Sequence, residues 1–137
     1  MKFILNVTLV ITLMIVKVAS AQNQSIEITV VNATSDKGTV NFALYDKASY
    51  MKQPIQGKTA GITKGKSTVV FENIPSGEYA VICYHDKNSN EKMDFEANGM
   101  PMEDYGATNN VMNFGPPRYD DAKFVVADKN VSLEIRF

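Results

Sequence analysis

Tryptophan is absent from this 137-residue chain, cysteine and histidine occur once each, and neither sign of charge is in marked excess. Each shortage excludes something. A single thiol, Cys83, cannot close an internal disulfide, so no covalent staple holds the fold even in an oxidising compartment. One imidazole and one thiol also fall short of the donor set that zinc takes. A formal net charge of -1 argues against the basic face that nucleic acid selects, and against electrostatic docking to anionic membranes. Hydrolytic signatures are missing too: there is no nucleophile elbow, no zincin helix motif and no recognised triad block. Beyond the N-terminus, no apolar run is long enough to span a bilayer.

At the N-terminus such a run is present, but short. Met1-Lys2 supplies a positive start, Phe3 to Val16 is mostly apolar, and Ala19-Ser20-Ala21 offers the small-x-small pattern of signal peptidase. Residues 1–21 are therefore expected to be a signal peptide, with Lys17 interrupting the end of the run and no cysteine there to carry a lipid. Export places the mature chain in the periplasm or outside the cell. Losing the positive charges of Lys2 and Lys17 takes the formal charge from -1 to about -3. Residues 22–137 then have the size of one domain.

Apolar residues in that domain alternate with period two, and no segment carries a helical stripe. Ile26, Ile28 and Val30 line one face of a first strand; Val40, Phe42 and Leu44 line a second, opened by the turn signal Asp36-Lys37-Gly38. Val69 and Phe71 mark a third strand. Ile74-Pro75-Ser76-Gly77 turns into a fourth over residues 78–84, Phe124 and Val126 mark a fifth, and Val131 to Phe137 form a sixth. Six to seven short strands with one polar face each predict an all-β, antiparallel sandwich. Two connections are long. Residues 47–65 have room for a helical turn over Ala48 to Gln53, and residues 85–119 form a long acidic loop of a length that is usually functional or disordered.

That second connection holds the unusual chemistry. Asp86, Asn88, Asn90 and Asp94 stand at relative positions 1, 3, 5 and 9, with Lys92 at position 7 to offer a backbone carbonyl. Calcium is a hard cation that takes about six to eight oxygen ligands, and alternate residues of a curled loop can all turn oxygens inward. The pattern departs from an EF-hand at Glu91, where that loop needs glycine, and at Ala97, where it needs a bidentate glutamate. Glu96, Asn98 and Glu103 are the candidates to complete the site. The alternative is a solvated turn rich in Asx residues.

Other features carry less chemistry. Cys83 and His85 share one strand face and are expected to be a core thiol beside a strand-end histidine. A hydrolase would use His85 as base with Asp86 or Glu103 nearby, but adjacent strand residues point to opposite faces. Met100, Met102, Tyr105, Met112 and Phe114 are apolar residues in a segment that should be wet. They are expected to cap one end of the sandwich; the alternative is a surface that holds a small ligand. Three glycosylation-type triplets begin at Asn23, Asn32 and Asn130, and such triplets occur by chance.

Several blocks together resemble a family of exported bacterial proteins catalogued as domain of unknown function 2141. They are Gly38-x-Val40 leading to Ala43-Leu44-Tyr45, then Pro75-x-Gly77-x-Tyr79-Ala80-Val81, then His85-Asp86-x-Asn88-x-Asn90-x-x-x-Asp94. Gly99-x-Pro101-x-Glu103-x-Tyr105-Gly106, Asn109-Asn110 and Pro117 follow in order. Glu91 and Ala107-Thr108 depart from the family pattern. The resemblance implies an immunoglobulin- or transthyretin-like sandwich and no particular activity, since fold does not carry function. The Pro-x-Gly-x-Tyr block also looks like the accessory domain of carboxypeptidases, which is not catalytic. The expectation is a monomeric, non-catalytic binding or structural module of the cell envelope with a calcium-stabilised loop and a protein or glycan partner. A hydrolase or small-ligand carrier using residues 85–119 is the alternative.

Overall fold

The computed structural model describes residues 22–137. The signal peptide expected over residues 1–21 lies outside the described residues. Eight strands form: β1 (Gln24–Val30), β2 (Thr39–Tyr45), β3 (Gln56–Gly61), β4 (Ser67–Ile74), β5 (Gly77–Asp86), β6 (Tyr105–Ala107), β7 (Phe124–Val126) and β8 (Val131–Ile135). A 3₁₀ turn spans Thr108–Asn110, and one helical turn, α1, spans Tyr119–Ala122. Among the described residues no helix is long and apolar enough to cross a membrane.

The strands divide into two sheets. One has the order β4-β1-β8; the other runs β3-β2-β5-β6, with β7 pairing the start of β5. All pairings are antiparallel except β1 with β8, which is parallel. Alternation explains the layering. Ile26, Ile28 and Val30 of β1 are buried together with Val40, Phe42 and Leu44 of β2, while their neighbours along each strand face outward. Phe71, Val81 and Ile135 join the same cluster. The fold is thus a β-sandwich, held by apolar burial at about 25 cal/mol per Å².

Two strands lie inside the connections expected to be loops, which raises the count from six or seven to eight. In β3, Gln56-Gly57-Lys58-Thr59-Ala60-Gly61 has no apolar alternation because it is an edge strand paired only with β2. The three residues of β6 are too few to show a period. Conversely, residues 48–53 turn without forming a helix. Asp46 Oδ1 accepts from Ser49 N at 2.8 Å, Ser49 Oγ accepts from Asp46 N at 3.1 Å, and Met51 adopts a positive φ of 56°.

Two glycines have positions that no other residue can hold. A Cβ on Gly106 would stand 2.6 Å from Ile135 Cγ2 and 2.8 Å from the Arg136 carbonyl oxygen, so β6 approaches the β8 end at backbone distance. Gly38 has a φ of 73°, and a Cβ there would collide with the Asp86 carbonyl. The β1–β2 turn is therefore pressed against the end of β5, where the acidic loop begins.

Phe71, fully buried in β4, should be among the costliest residues to truncate. Phe71→Ala is expected to lower the unfolding free energy by about 3–5 kcal/mol. Val125→Ala, at a side chain 66% exposed, should change it by less than about 0.5 kcal/mol. Chemical denaturation of the two variants checks the difference.

Candidate functional site

The last residues of β5 deliver His85 and Asp86 to the start of the long loop. Their partners on β2 are Val40 and Thr39. His85 is 0% exposed, on the same face as the buried Cys83. Its Nε2 lies 2.7 Å from the Lys37 carbonyl oxygen, which can only accept, so Nε2 is the donor. Nδ1 has no partner among the described residues. The ring stacks on Phe137 with centroids 6.4 Å apart. Burial thus places the imidazole beside the core thiol Cys83. Burial also pushes the Cys83 thiol far up, so it stays protonated.

Asp86 points to the opposite face, yet it is only 1% exposed, because the loop folds over it. Its Oδ1 accepts from Asn90 N at 3.1 Å and its Oδ2 from Glu91 N at 2.8 Å. A carboxylate without water needs such donors, and the backbone curls to provide them. Ser89 and Glu91 take positive φ values of 55° and 62° in doing so. Glu91 therefore occupies a left-handed position that would suit glycine, and its departure from the EF-hand and family patterns carries backbone strain.

The alternate residues follow the same rule. Asn88 Oδ1 accepts from Asn90 N at 3.3 Å, and Asn90 Oδ1 accepts from Lys92 N at 3.0 Å. Both amides then donate to Asp94: Asn88 Nδ2 to Oδ2 at 2.8 Å, and Asn90 Nδ2 to Oδ1 at 2.9 Å. Asp94 N in turn donates to Glu103 Oε2 at 3.4 Å. Asp86, Asn88, Asn90 and Asp94 are therefore brought together, with Lys92 contributing its N–H to the curl and its side chain exposed.

Of the three candidates to complete the set, Glu103 reaches the loop and is buried. Glu96 and Asn98 belong instead to an exposed second turn, where Gly99 N donates to Glu96 O and Met100 N to Asn98 Oδ1. Among the described residues no three His, Cys, Asp or Glu side chains meet closely enough to hold an ion. Amide oxygens would be indispensable to any site here.

The return of the loop is anchored at Asp104. Its carbonyl accepts from His85 N at 2.8 Å, and its carboxylate takes Thr34 Oγ1 at 3.1 Å and Lys87 Nζ at 3.4 Å. Farther on, Met100, Met102, Met112 and Phe114 are exposed. The expected apolar cap is therefore absent from these side chains: the loop satisfies its backbone through short turns and polar side chains, which leave the apolar groups outside. Tyr50, Tyr119 and Ala122 provide a cap instead, packing over Ala80 on the outer face of the larger sheet.

Asn109 and Asn110 have a structural role that their sequence context did not disclose. Asn109 Nδ2 donates to the carbonyls of Asp121 and Lys123, both at 2.9 Å. Asn110 bonds β8 through Glu134 O at 3.0 Å and Arg136 N at 2.8 Å. Asparagine pairs are common in turns generally, so the spacing carried no such signal.

The bacterial family described as "Uncharacterized protein conserved in bacteria (DUF2141)" matches residues 28–134, which include most of both sheets and the whole acidic loop. Neither the curated proteins nor the solved structures yield a match.

Removing the Asp86 carboxylate leaves two loop N–H groups without their acceptor. Asp86→Ala should lower stability by about 1–3 kcal/mol and speed hydrogen exchange at the amides of Asn90 and Glu91. Cys83 should resist a thiol reagent such as dithionitrobenzoate in the folded protein and react fully once denaturant unfolds it.

Proposed function

The chain belongs to this bacterial family, and we propose that it is an exported, non-catalytic binding or structural module of the cell envelope whose loop over residues 86–94 takes calcium. The observation that carries this reading is the gathering of Asp86, Asn88, Asn90 and Asp94 by one set of loop hydrogen bonds, with Glu103 brought up beside them. All five side chains offer oxygen, the donor a hard cation prefers. Half a turn of each amide replaces the NH₂ groups on Asp94 with oxygens aimed the same way. The Lys92 carbonyl adds a backbone ligand, and Glu103 stands in for the glutamate that Ala97 cannot supply.

Export follows from the reading of residues 1–21 as a signal peptide. Outside the cell, ambient calcium suits the weak affinity of extracellular modules, about 10⁻⁴–10⁻³ M. The two-sheet sandwich suits the immunoglobulin- or transthyretin-like domain that the family resemblance implies, and the domain acts as a monomer. With no disulfide to staple it, an ion that ties Asp94 and Glu103 to the end of β5 would stabilise the longest connection. At ten times its dissociation constant, such an ion contributes roughly 1.4 kcal/mol.

Thermal unfolding of the purified protein in millimolar calcium and in chelator tests the reading. Calcium should raise the melting temperature by several degrees, and Asp94→Ala should abolish that rise. Asp94 is the diagnostic position, because Asp86 also holds backbone N–H groups and its loss destabilises with or without the ion. Identical melting in calcium and chelator would refute the ion site.

A further inference from the structure

The outer face of the larger sheet is covered at one end and open at the other. Tyr50, Tyr119 and Ala122 shield Ala80. Beyond them, the register sets two rows of outward residues across the strands. Thr59, Asn41, Tyr84 and Tyr105 form one row; Gly57, Ala43, Ile82 and Ala107 form the next. The second row is made almost wholly of small side chains. A groove of about 390 Å³ lies over the β3–β2–β5 part of this face, walled at one side by Ser89 and Glu91 of the acidic loop. That volume falls in the range of small-ligand sites, about 300–1,000 Å³.

The lining has a definite chemistry. Thr39, Asn41, Thr59 and Tyr84 are all uncharged hydrogen-bonding groups. Asn41 Oδ1 accepts the Thr59 hydroxyl at 2.6 Å, which fixes the amide and leaves its NH₂ to donate elsewhere. Tyr84 is half-buried and adds an aromatic surface with a polar tip. Lys58 and Glu91, of opposite sign, also line it, as do Phe42 and the buried Asp86, whose carboxylate oxygens accept from the Asn90 and Glu91 amides. The groove therefore matches a neutral ligand that alternates apolar C–H surface with hydroxyl groups.

Gly57 supplies the second observation. It lies within a strand at ordinary extended φ, and a Cβ built on it would meet only the Phe42 carbonyl oxygen, at 3.9 Å. Folding therefore does not require glycine here, unlike at Gly106, where a Cβ would clash. Glycine inside a strand weakens it, and it often marks a place where a ligand comes close to the backbone.

We propose that this groove, floored by Gly57 and lined by Asn41, Thr59 and Tyr84, binds a neutral carbohydrate chain. Sugar hydroxyls pair with the Asn41 amide and the Thr39 and Thr59 hydroxyls, while a sugar's C–H face packs on Tyr84. The proposal rests on the reading of the protein as a binding module and names its partner class, but it does not depend on calcium.

Purified protein is titrated with cellohexaose, xylohexaose, mannohexaose and chitohexaose, and with hexagalacturonate as the anionic comparison, in calcium and again in chelator. Amide NMR and calorimetry read the outcome. At least one neutral hexasaccharide is expected to bind and to shift the backbone amides of Gly57 and Thr59 and the side-chain NH₂ of Asn41. Gly57→Val fills the groove without strain, so it should keep the melting temperature and weaken binding at least tenfold. Tyr84→Phe, which keeps the ring, should stay within a few-fold of the unaltered protein. Binding of hexagalacturonate alone, shifts confined to residues 95–114, or undiminished binding by folded Gly57→Val would each overturn the proposal. So would a face that pairs two copies of the chain and takes no saccharide. A protein that melts higher in calcium yet binds none of the neutral sugars overturns this proposal and leaves the calcium reading standing.

Discussion

A carboxylate taken out of water must be given hydrogen bonds, and the long loop is organised by that requirement at Asp86. The residue ends β5 with 1% of its surface exposed, and among the described residues the donors that reach its two oxygens are the amides of Asn90 and Glu91. To present them, the backbone passes through left-handed conformations at Ser89 and Glu91. The same curl sets Asn88 and Asn90 against Asp94, and Asp94 against Glu103. The loop's polar spacing is the means by which one buried charge is satisfied, and it also brings two side-chain amides onto Asp94.

Pinning on the other side makes that requirement rigid. The β1–β2 turn presses Gly38 on the Asp86 carbonyl and directs the Lys37 carbonyl at His85 Nε2. Asp104 closes the loop by accepting from His85 N, so both the start and the return of the connection are tied to the same two residues of β5. The apolar side chains between them have no interior left to enter. Their exposure at Met100 and Met102 follows from the polar filling of the loop, and the role of cap passes to α1 and Tyr50.

The two faces of the larger sheet divide the labour. Its inner face carries Val40, Phe42, Leu44, Val81 and Cys83 and is committed to the core. Its outer face carries Asn41, Ala43, Gly57, Thr59, Ile82 and Tyr84, part covered and part open. A sandwich needs only one apolar side per sheet, so the other is free to vary without cost to the fold. Glycine placement separates the two uses: at Gly106 close packing demands it, whereas at Gly57 nothing in the fold does.

Much of the architecture was legible in the residues alone. Period-two alternation located β1, β2, β4, β5, β7 and β8, because one-sided burial imposes that period on any strand that faces a core. The spacing of Asp86, Asn88, Asn90 and Asp94 singled out the loop, since their side chains can reach one another locally. What alternation could not disclose were β3 and β6, whose residues are polar, small or few, and whose strand state comes from pairing with β2 and β5. Nor could spacing tell that Glu103, rather than Glu96 or Asn98, reaches Asp94, because that depends on where a second turn places the chain. The row of Thr59, Asn41 and Tyr84 likewise exists only in the sheet register, which joins residues 18 apart in one pair and still farther in the other. Local chemistry fixes periods and turns; long-range pairing decides which distant side chains share a face, and no window along the chain contains both.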